Sequence, residues 1–219
     1  MRLLKTLLPD APCRTTILAG PFRGATVVLR PRVSLRKIVG IYEHELNGWI
    51  TRALDRVHRV IDVGANDGYF TFGSAAALRR RGIPIDIVAF EPDPAHVAEL
   101  RASVEQQRAG GITVIPKYVG GVDDGMTATL DGLGVPDHTR TLVKVDIEGA
   151  ELDALRSARQ WINDRNLFVI EVHAEALEMP IRDLFRAQGC ALERVDHRAH
   201  WLVGHEPRQG ENFWLVTPL

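Results

Sequence analysis

The sequence predicts an α/β fold built on a mostly parallel, seven-stranded sheet with helices on both faces. Three observations carry this. Short apolar runs alternate with amphipathic stretches from residue 59 onward. Those runs are apolar throughout rather than at every second position, as strands buried on both faces must be. A chain of 219 residues, 45% hydrophobic and 25% charged, can also bury a full core as one domain.

In chain order, Thr15-Thr16-Ile17-Leu18-Ala19-Gly20 and Ala25-Thr26-Val27-Val28-Leu29 are rich in β-branched residues, which predicts a hairpin-like N-terminal element within 15–40. From Glu43 the period changes: Leu46, Trp49, Ile50, Ala53, Leu54 and Val57 recur at helical spacing. Arg59 to Val63 reads as the first apolar strand, and Tyr69 to Arg81 as an Ala-rich helix stopped by Gly82. Ile85 to Phe90 is the second strand, with Asp93 and Pro94 as N-cap and first position of a helix running to Gly110-Gly111. Ile112 to Ile115, Thr141 to Ile147 and Leu167 to Val172 supply strands three to five, with a helix carrying Leu152, Leu155 and Ala158 between the last two. Ile181 to Gln188 is a further helix, and Ala191 to Val195 and Asn212 to Thr217 are closing strands joined by a His-bearing loop.

A net charge of −1 hides an asymmetry, because residues 1–42 hold eight Lys or Arg against one acid, Asp10. The plain account is a solvated flank; contact with an anionic substrate, a membrane surface or a second subunit is the alternative. Cys13 and Cys190 show neither metal spacing nor a disulfide framework. The first ten residues break their apolar run with Lys5 and Asp10, and no stretch is long enough to span a bilayer, so a cytoplasmic protein is expected.

In open α/β sheets ligands bind at the carboxyl ends of the strands, near the point where strand order reverses. Three strand ends hold chemistry: Asp62 to Gly68, Glu91 to Asp93, and Asp146 to Glu151. In the first, Gly64 and Gly68 permit a tight turn, while Asp62 and Asp67 oppose a pyrophosphate and favour a ligand bearing cationic groups. Its Gly-x-x-x-Gly spacing also departs from the dinucleotide fingerprint. Glu91, 23 residues after Gly68, is placed to accept hydrogen bonds from ribose hydroxyls. Lys144, Asp146 and Glu148 occupy alternate positions of an otherwise apolar strand and would share one face if it stays extended. Charges there are functional, or form a Lys144 ion pair with Asp146 or Glu148.

Taken together, Asp62-Val63-Gly64-Ala65-Asn66-Asp67-Gly68-Tyr69-Phe70-Thr71, Phe90-Glu91-Pro92, Thr129-Leu130-Asp131 and Val143-Lys144-Val145-Asp146-Ile147-Glu148-Gly149-Ala150-Glu151 resemble, in order over roughly residues 60–175, the motifs of the FkbM family of S-adenosylmethionine-dependent methyltransferases. The resemblance implies a Rossmann-like class I methyltransferase fold; with the change of period at Glu43, the chain divides into a basic extension over 1–42 and a methyltransferase domain over 43–219. It implies S-adenosyl-L-methionine as cofactor, lined by Asp62, Gly64, Ala65, Asn66, Gly68, Tyr69 and Glu91, with Asp146 near the methionine end. It implies methyl transfer to a hydroxyl of a small molecule such as a sugar or polyketide. Pro116 to Asp124 departs from the family's usual loop, and residues 1–40 match no part of it.

A hydroxyl becomes nucleophilic only when its proton is taken, by a general base or with a divalent cation. The candidates are Asp146 and Glu148 on one strand end, and Glu171 and His173 on the next. If those strands are neighbours, His173 is a base oriented by a carboxylate, or Asp146, Glu171 and His173 form a hard-ligand cluster suited to Mg²⁺, or Glu171 and His173 are solvated strand-end residues. His197, His200 and His205 fit no standard zinc spacing. Trp201-Leu202 in the same loop is placed to cover the substrate, while Tyr42-Glu43, just upstream of the leading helix, is placed either to contact the cofactor or, more simply, to supply a helix N-terminal acid. Three other readings stay open: a nucleotide-dependent oxidoreductase, a non-catalytic cofactor-binding scaffold, and nucleic-acid methylation, which only the basic leader favours and which no Asn-Pro-Pro-Tyr-type pocket supports. The expected partner is a small-molecule hydroxyl acceptor, with homo-oligomerisation open.

Overall fold

The computed structural model describes residues 8–135, 139–200, 204 and 212–219. Strands β1 (Cys13–Thr16) and β2 (Thr26–Leu29) form an antiparallel hairpin, followed by the short helix α1 (Leu35–Ile38) and helix α2 (Asn47–Leu54). Then β3 (Arg59–Val63), α3 (Tyr69–Arg80), β4 (Ile87–Phe90), α4 (Pro94–Gln106) and β5 (Ile112–Ile115) alternate as their apolar periodicity requires. Two two-residue strands, β6 (Tyr118–Val119) and β7 (Thr127–Ala128), pair with each other and are too short to leave a pattern in the sequence. The chain continues through β8 (Thr141–Val145), α5 (Glu151–Arg156), β9 (Leu167–Val172), α6 (Glu178–Ala187), β10 (Glu193–Val195) and β11 (Phe213–Val216).

The main sheet has seven strands in the order β10-β11-β9-β8-β3-β4-β5; β11 runs antiparallel to both of its neighbours, β10 and β9, and the other four pairings are parallel. From β3 the chain moves outward to β4 and β5, then returns to lay β8 on the opposite side of β3. That reversal opens a crevice at the carboxyl ends of β3 and β8.

Both faces of the sheet are covered. Val60, Leu142, Leu167 and Val169 point into one apolar cluster, while their neighbours Ile61, Val143, Phe168 and Ile170 point into the other. The N-terminal hairpin belongs to the first cluster: Ile17, Phe22, Val27 and Leu29 are buried in it, with β2 against α3 and α4. Phe22 meets Tyr69 and Phe70 edge to face, at 5.2 Å and 5.4 Å between ring centroids. Residues 13–29 therefore share the core of the main sheet.

The start of α4 forms as its sequence dictates. The Asp93 side chain accepts from the backbone N–H of Ala95 and His96 at 2.9 Å and 3.0 Å, Pro94 begins the helix, and these bonds hold the Asp93 carboxyl below its ordinary range. Strand β8 differs from expectation. It stops at Val145, and Glu148 and Gly149 turn into left-handed backbone with φ of 53° and 100°. Lys144, Asp146 and Glu148 consequently do not line up on one extended face. Among the described residues no helix is long and apolar enough to cross a membrane.

Candidate active site

A cavity of about 670 Å³ opens where the carboxyl ends of β3, β4, β8 and β9 meet, a size that suits a small-molecule site. Gly64, Asn66, Glu91, Asp146, Glu148, Glu171 and His173 line it, all of them candidates on sequence grounds. Asp62, Ala65, Gly68 and Tyr69 do not. Tyr69 instead packs edge to face on Tyr42, which is the residue that reaches the cavity.

The turn after β3 is fixed from beneath. The Gly64 and Ala65 amides donate to the Phe90 carbonyl at 3.0 Å and 2.9 Å, and the Asp146 amide donates to the Val63 carbonyl at 3.1 Å. Gly64 has φ of 83°, and a Cβ there would lie 2.0 Å from the Asp146 carbonyl oxygen. Glycine is required because the end of β8 passes this close, a more specific cause than a tight turn alone.

The acids of that turn do not face the cavity as free charges. Asp62 is fully buried; its carboxylate accepts from the Thr71 hydroxyl at 2.5 Å and lies 3.4 Å from the Lys144 ammonium. Lys144 also pairs with Asp146 at 3.1 Å and donates to the Gly64 carbonyl at 2.9 Å. Burial pushes the Asp62 carboxyl up, and Lys144 only partly offsets this. Asp67 is paired with Lys37 at 2.5 Å, and the Lys37 ammonium lies 5.0 Å and 5.4 Å from the ring centroids of Tyr42 and Tyr69. Lysines thus match both carboxylates expected to draw a cationic ligand. Part of the basic leader serves this turn. Negative charge facing the cavity comes from Glu91, Asp146, Glu148 and Glu171.

At the end of β4, Glu91 is 6% exposed, and its two oxygens accept from the backbone N–H of Asn66 at 2.7 Å and of Asp93 at 2.9 Å. These bonds lock the carboxylate while leaving each oxygen a lone pair for a further donor. His96, Lys117 and Tyr118 complete this end of the cavity. No motif or spacing in the sequence marks these three.

The opposite end is built by β8 and β9, which are parallel neighbours. The His173 ring meets the Glu151 carboxylate through Nδ1 at 2.6 Å, and its Nε2 lies 3.8 Å from Asp146 and 4.0 Å from Glu148. The Glu151 bond, with the Glu171 and Asp146 charges behind it, raises the His173 pKa above its ordinary value against the effect of burial. Burial raises the Asp146 carboxyl, but the Lys144 ammonium and His173 leave it net below the usual carboxylate range. Glu171 is buried and accepts from the Asn212 amide at 2.6 Å. The Glu148 side chain is 91% exposed and sits at the mouth. Ligand atoms of Asp146, Glu171 and His173 lie within 4.8 Å of one another, the one such grouping among the described residues. Tyr42 closes the wall, its phenol kept protonated by burial and by the Glu43 and Glu171 charges.

The histidine-rich loop makes different contacts. His197 Nδ1 meets Glu45 at 2.5 Å, and the His200 ring packs edge to face on His44 at 4.9 Å. His205 and Trp201-Leu202 lie outside the described residues.

No protein-family model matches the sequence, and no curated protein matches it. Among solved structures the chain is similar to an FkbM methyltransferase from Methylobacillus flagellatus, with 19% identity and a TM-score of 0.59 over 74% of this chain and 44% of that one. It thus spans under half the length of that protein. It is similar to a protein described as a methylase from Haemophilus influenzae, with 14% identity and a TM-score of 0.53 over 94% and 98% of the two chains. It is also similar to a protein described as an rRNA methylase from Clostridium thermocellum, with 9% identity and a TM-score of 0.53 over 79% and 94%. At these identities the likeness establishes the fold: a mostly parallel seven-stranded sheet with helices, as in the Rossmann-like methyltransferases.

Proposed function

We propose that the chain is an S-adenosylmethionine-dependent methyltransferase that methylates a hydroxyl of a small molecule, such as a sugar or polyketide, with His173 as general base. The observation that carries this reading is the pairing, in one cavity, of the amide-locked carboxylate of Glu91 at the β4 end with the Asp146, Glu171 and His173 cluster at the β8 and β9 ends. Glu91 retains lone pairs for two ribose hydroxyls, and the Asn66 and Gly64 backbone forms the floor between the two ends. S-Adenosylmethionine held there would supply an electrophilic methyl group on a sulfonium centre. Asp146 and Glu171 place negative charge at the methionine end. His173 Nε2 takes the proton of the acceptor hydroxyl as the oxygen attacks. Holding that oxygen in line accounts for much of the remaining acceleration.

The basic extension over 1–42 then braces the cofactor turn through Lys37, and residues 43–219 carry the catalytic machinery. Two unpaired cysteines fit a cytoplasmic setting. The exposed Glu148 at the mouth disfavours a polynucleotide, whose phosphates it would repel. A specific observation favours a second reading of the same cluster. Asp146 and Glu171 offer two carboxylate oxygens and His173 an imidazole nitrogen to a divalent cation, and Mg²⁺ would use the two carboxylates with water; such an ion would acidify the acceptor hydroxyl in place of a base.

The test begins with labelled S-adenosylmethionine and a panel of hydroxylated small molecules beside total RNA. Label in a small molecule is expected; label confined to RNA overturns the acceptor class. His173→Ala should then lower turnover by about 100-fold or more while S-adenosylhomocysteine affinity stays within about twofold. Full activity in His173→Ala removes it as base. Turnover that survives a chelator unchanged removes the metal.

A further inference from the structure

We propose that Glu151 is the positioning residue for His173, fixing the ring with its proton on Nδ1 so that Nε2 faces the cavity. This rests on the reading of His173 as the group that meets the acceptor, and it holds equally for His173 as base or as metal ligand. Glu151 comes from a different element than His173: it opens α5 after β8, whereas His173 follows β9. Its carboxylate is completely buried, and only Oε1 is used. That oxygen accepts from the Gly149 N–H at 2.8 Å and meets His173 Nδ1 at 2.6 Å, while Oε2 is buried without a hydrogen-bond partner among the described residues.

A local structural role does not account for this arrangement. The turn at Gly149 needs one acceptor, which a neutral Gln would supply. Burying a carboxylate with an unmatched oxygen costs several kcal/mol unless a cation or strong donor faces it. The one such group on the carboxylate is the His173 ring. A carboxylate on Nδ1 fixes that proton, leaves Nε2 as the lone-pair nitrogen and raises its basicity, as carboxylates do behind metal-bound and catalytic histidines. Nε2 is the nitrogen that lies near Asp146 and Glu148. Asp62, Glu91 and Asp67 are also buried or half-buried acids, but each is matched by backbone amides, a hydroxyl or a lysine. The Glu45 side chain is likewise buried against a histidine, His197, but neither lines the cavity; among the described residues Glu151 is the buried acid matched chiefly by a histidine that does.

The experiment is nitrogen NMR on the full chain labelled at histidine, with the His173 signals assigned by their loss in His173→Ala. In the neutral ring of the wild-type protein, Nδ1 is expected to carry the proton and Nε2 to be unprotonated. A neutral ring protonated on Nε2 overturns the proposal and requires no variant. Glu151→Gln should weaken the Nδ1–H preference and lower turnover by about 10- to 100-fold with S-adenosylhomocysteine affinity held within about twofold; Glu151→Asp should recover part of the turnover. Unchanged tautomer and turnover in Glu151→Gln overturn it as well. If the wild-type ring carries its proton on Nδ1 yet His173→Ala remains fully active, Glu151 positions the ring as stated and the assignment of His173 as base is what fails.

Discussion

Replacing Lys144 by Met removes the cation from the buried cluster it forms with Asp62 and Asp146. Asp62 is 0% exposed and would keep only the Thr71 hydroxyl on one oxygen, while Asp146 would lose its 3.1 Å ion pair. Leaving one partner of a buried pair alone costs about 3–5 kcal/mol, a large share of the roughly 5–15 kcal/mol that keeps a domain folded. For a chain of this size the loss corresponds to a fall in Tm on the order of 10 °C, read by circular dichroism or scanning calorimetry. The pH dependence follows from Asp62, whose folded pKa is raised. A group that binds its proton more tightly when folded favours the folded state below its unfolded pKa, and loses that advantage as pH rises through the folded pKa. Without Lys144 the shift grows, so Lys144→Met should be most stable in mild acid and decline toward neutral pH more steeply than the wild type. Adding Asp62→Asn should return part of the stability, because the two sites are coupled. A loss under about 1 kcal/mol, or a double variant no better than the single, would refute the view that Lys144 holds the strand ends together by charge.

The raised His173 pKa sets opposite trends for activity and stability. The neutral ring is the base, so turnover should climb as pH rises through a midpoint above 6.5, the ordinary histidine value. The stability that His173 gains from Glu151 is present below its unfolded pKa and is lost over the same climb. A turnover midpoint at or below the ordinary value contradicts the assigned environment. Gly64→Ala should destabilise by more than about 2 kcal/mol through positive φ and a clash with the Asp146 carbonyl; a neutral effect in denaturant titrations would show that the β3 and β8 ends are looser than described. Loss of about tenfold or more in S-adenosylhomocysteine affinity is expected for Glu91→Ala, and an unchanged value removes Glu91 from the ribose.

Much of the fold is legible in the amino-acid sequence. Strands such as Arg59–Val63 and Leu167–Val172 are short apolar runs between helices, and a strand buried on both faces has little other composition to choose from. The Asp93-Pro94 helix start follows from local chemistry alone. The features that escape the sequence depend on residues distant in the chain. Asp62 and Asp67 look like ligand-facing acids until the fold brings Lys144 and Lys37 to them. Strand β8 reads as extended to Ile147 because Glu148 adopts left-handed backbone that its neighbours do not announce. Glu151 reads as an ordinary helix-opening acid, and only the approach of the β9 end reveals His173 against it. Tyr42, one of two residues before the leading helix that the sequence offers as a cofactor contact, lines the cavity, but its packing on Tyr69 is a contact no periodicity encodes.

The most direct test of the central claim is titration calorimetry of the wild-type chain with S-adenosylhomocysteine and, separately, with NAD. One S-adenosylhomocysteine bound per chain and no heat with NAD are expected. Binding of NAD without S-adenosylhomocysteine would contradict the claim.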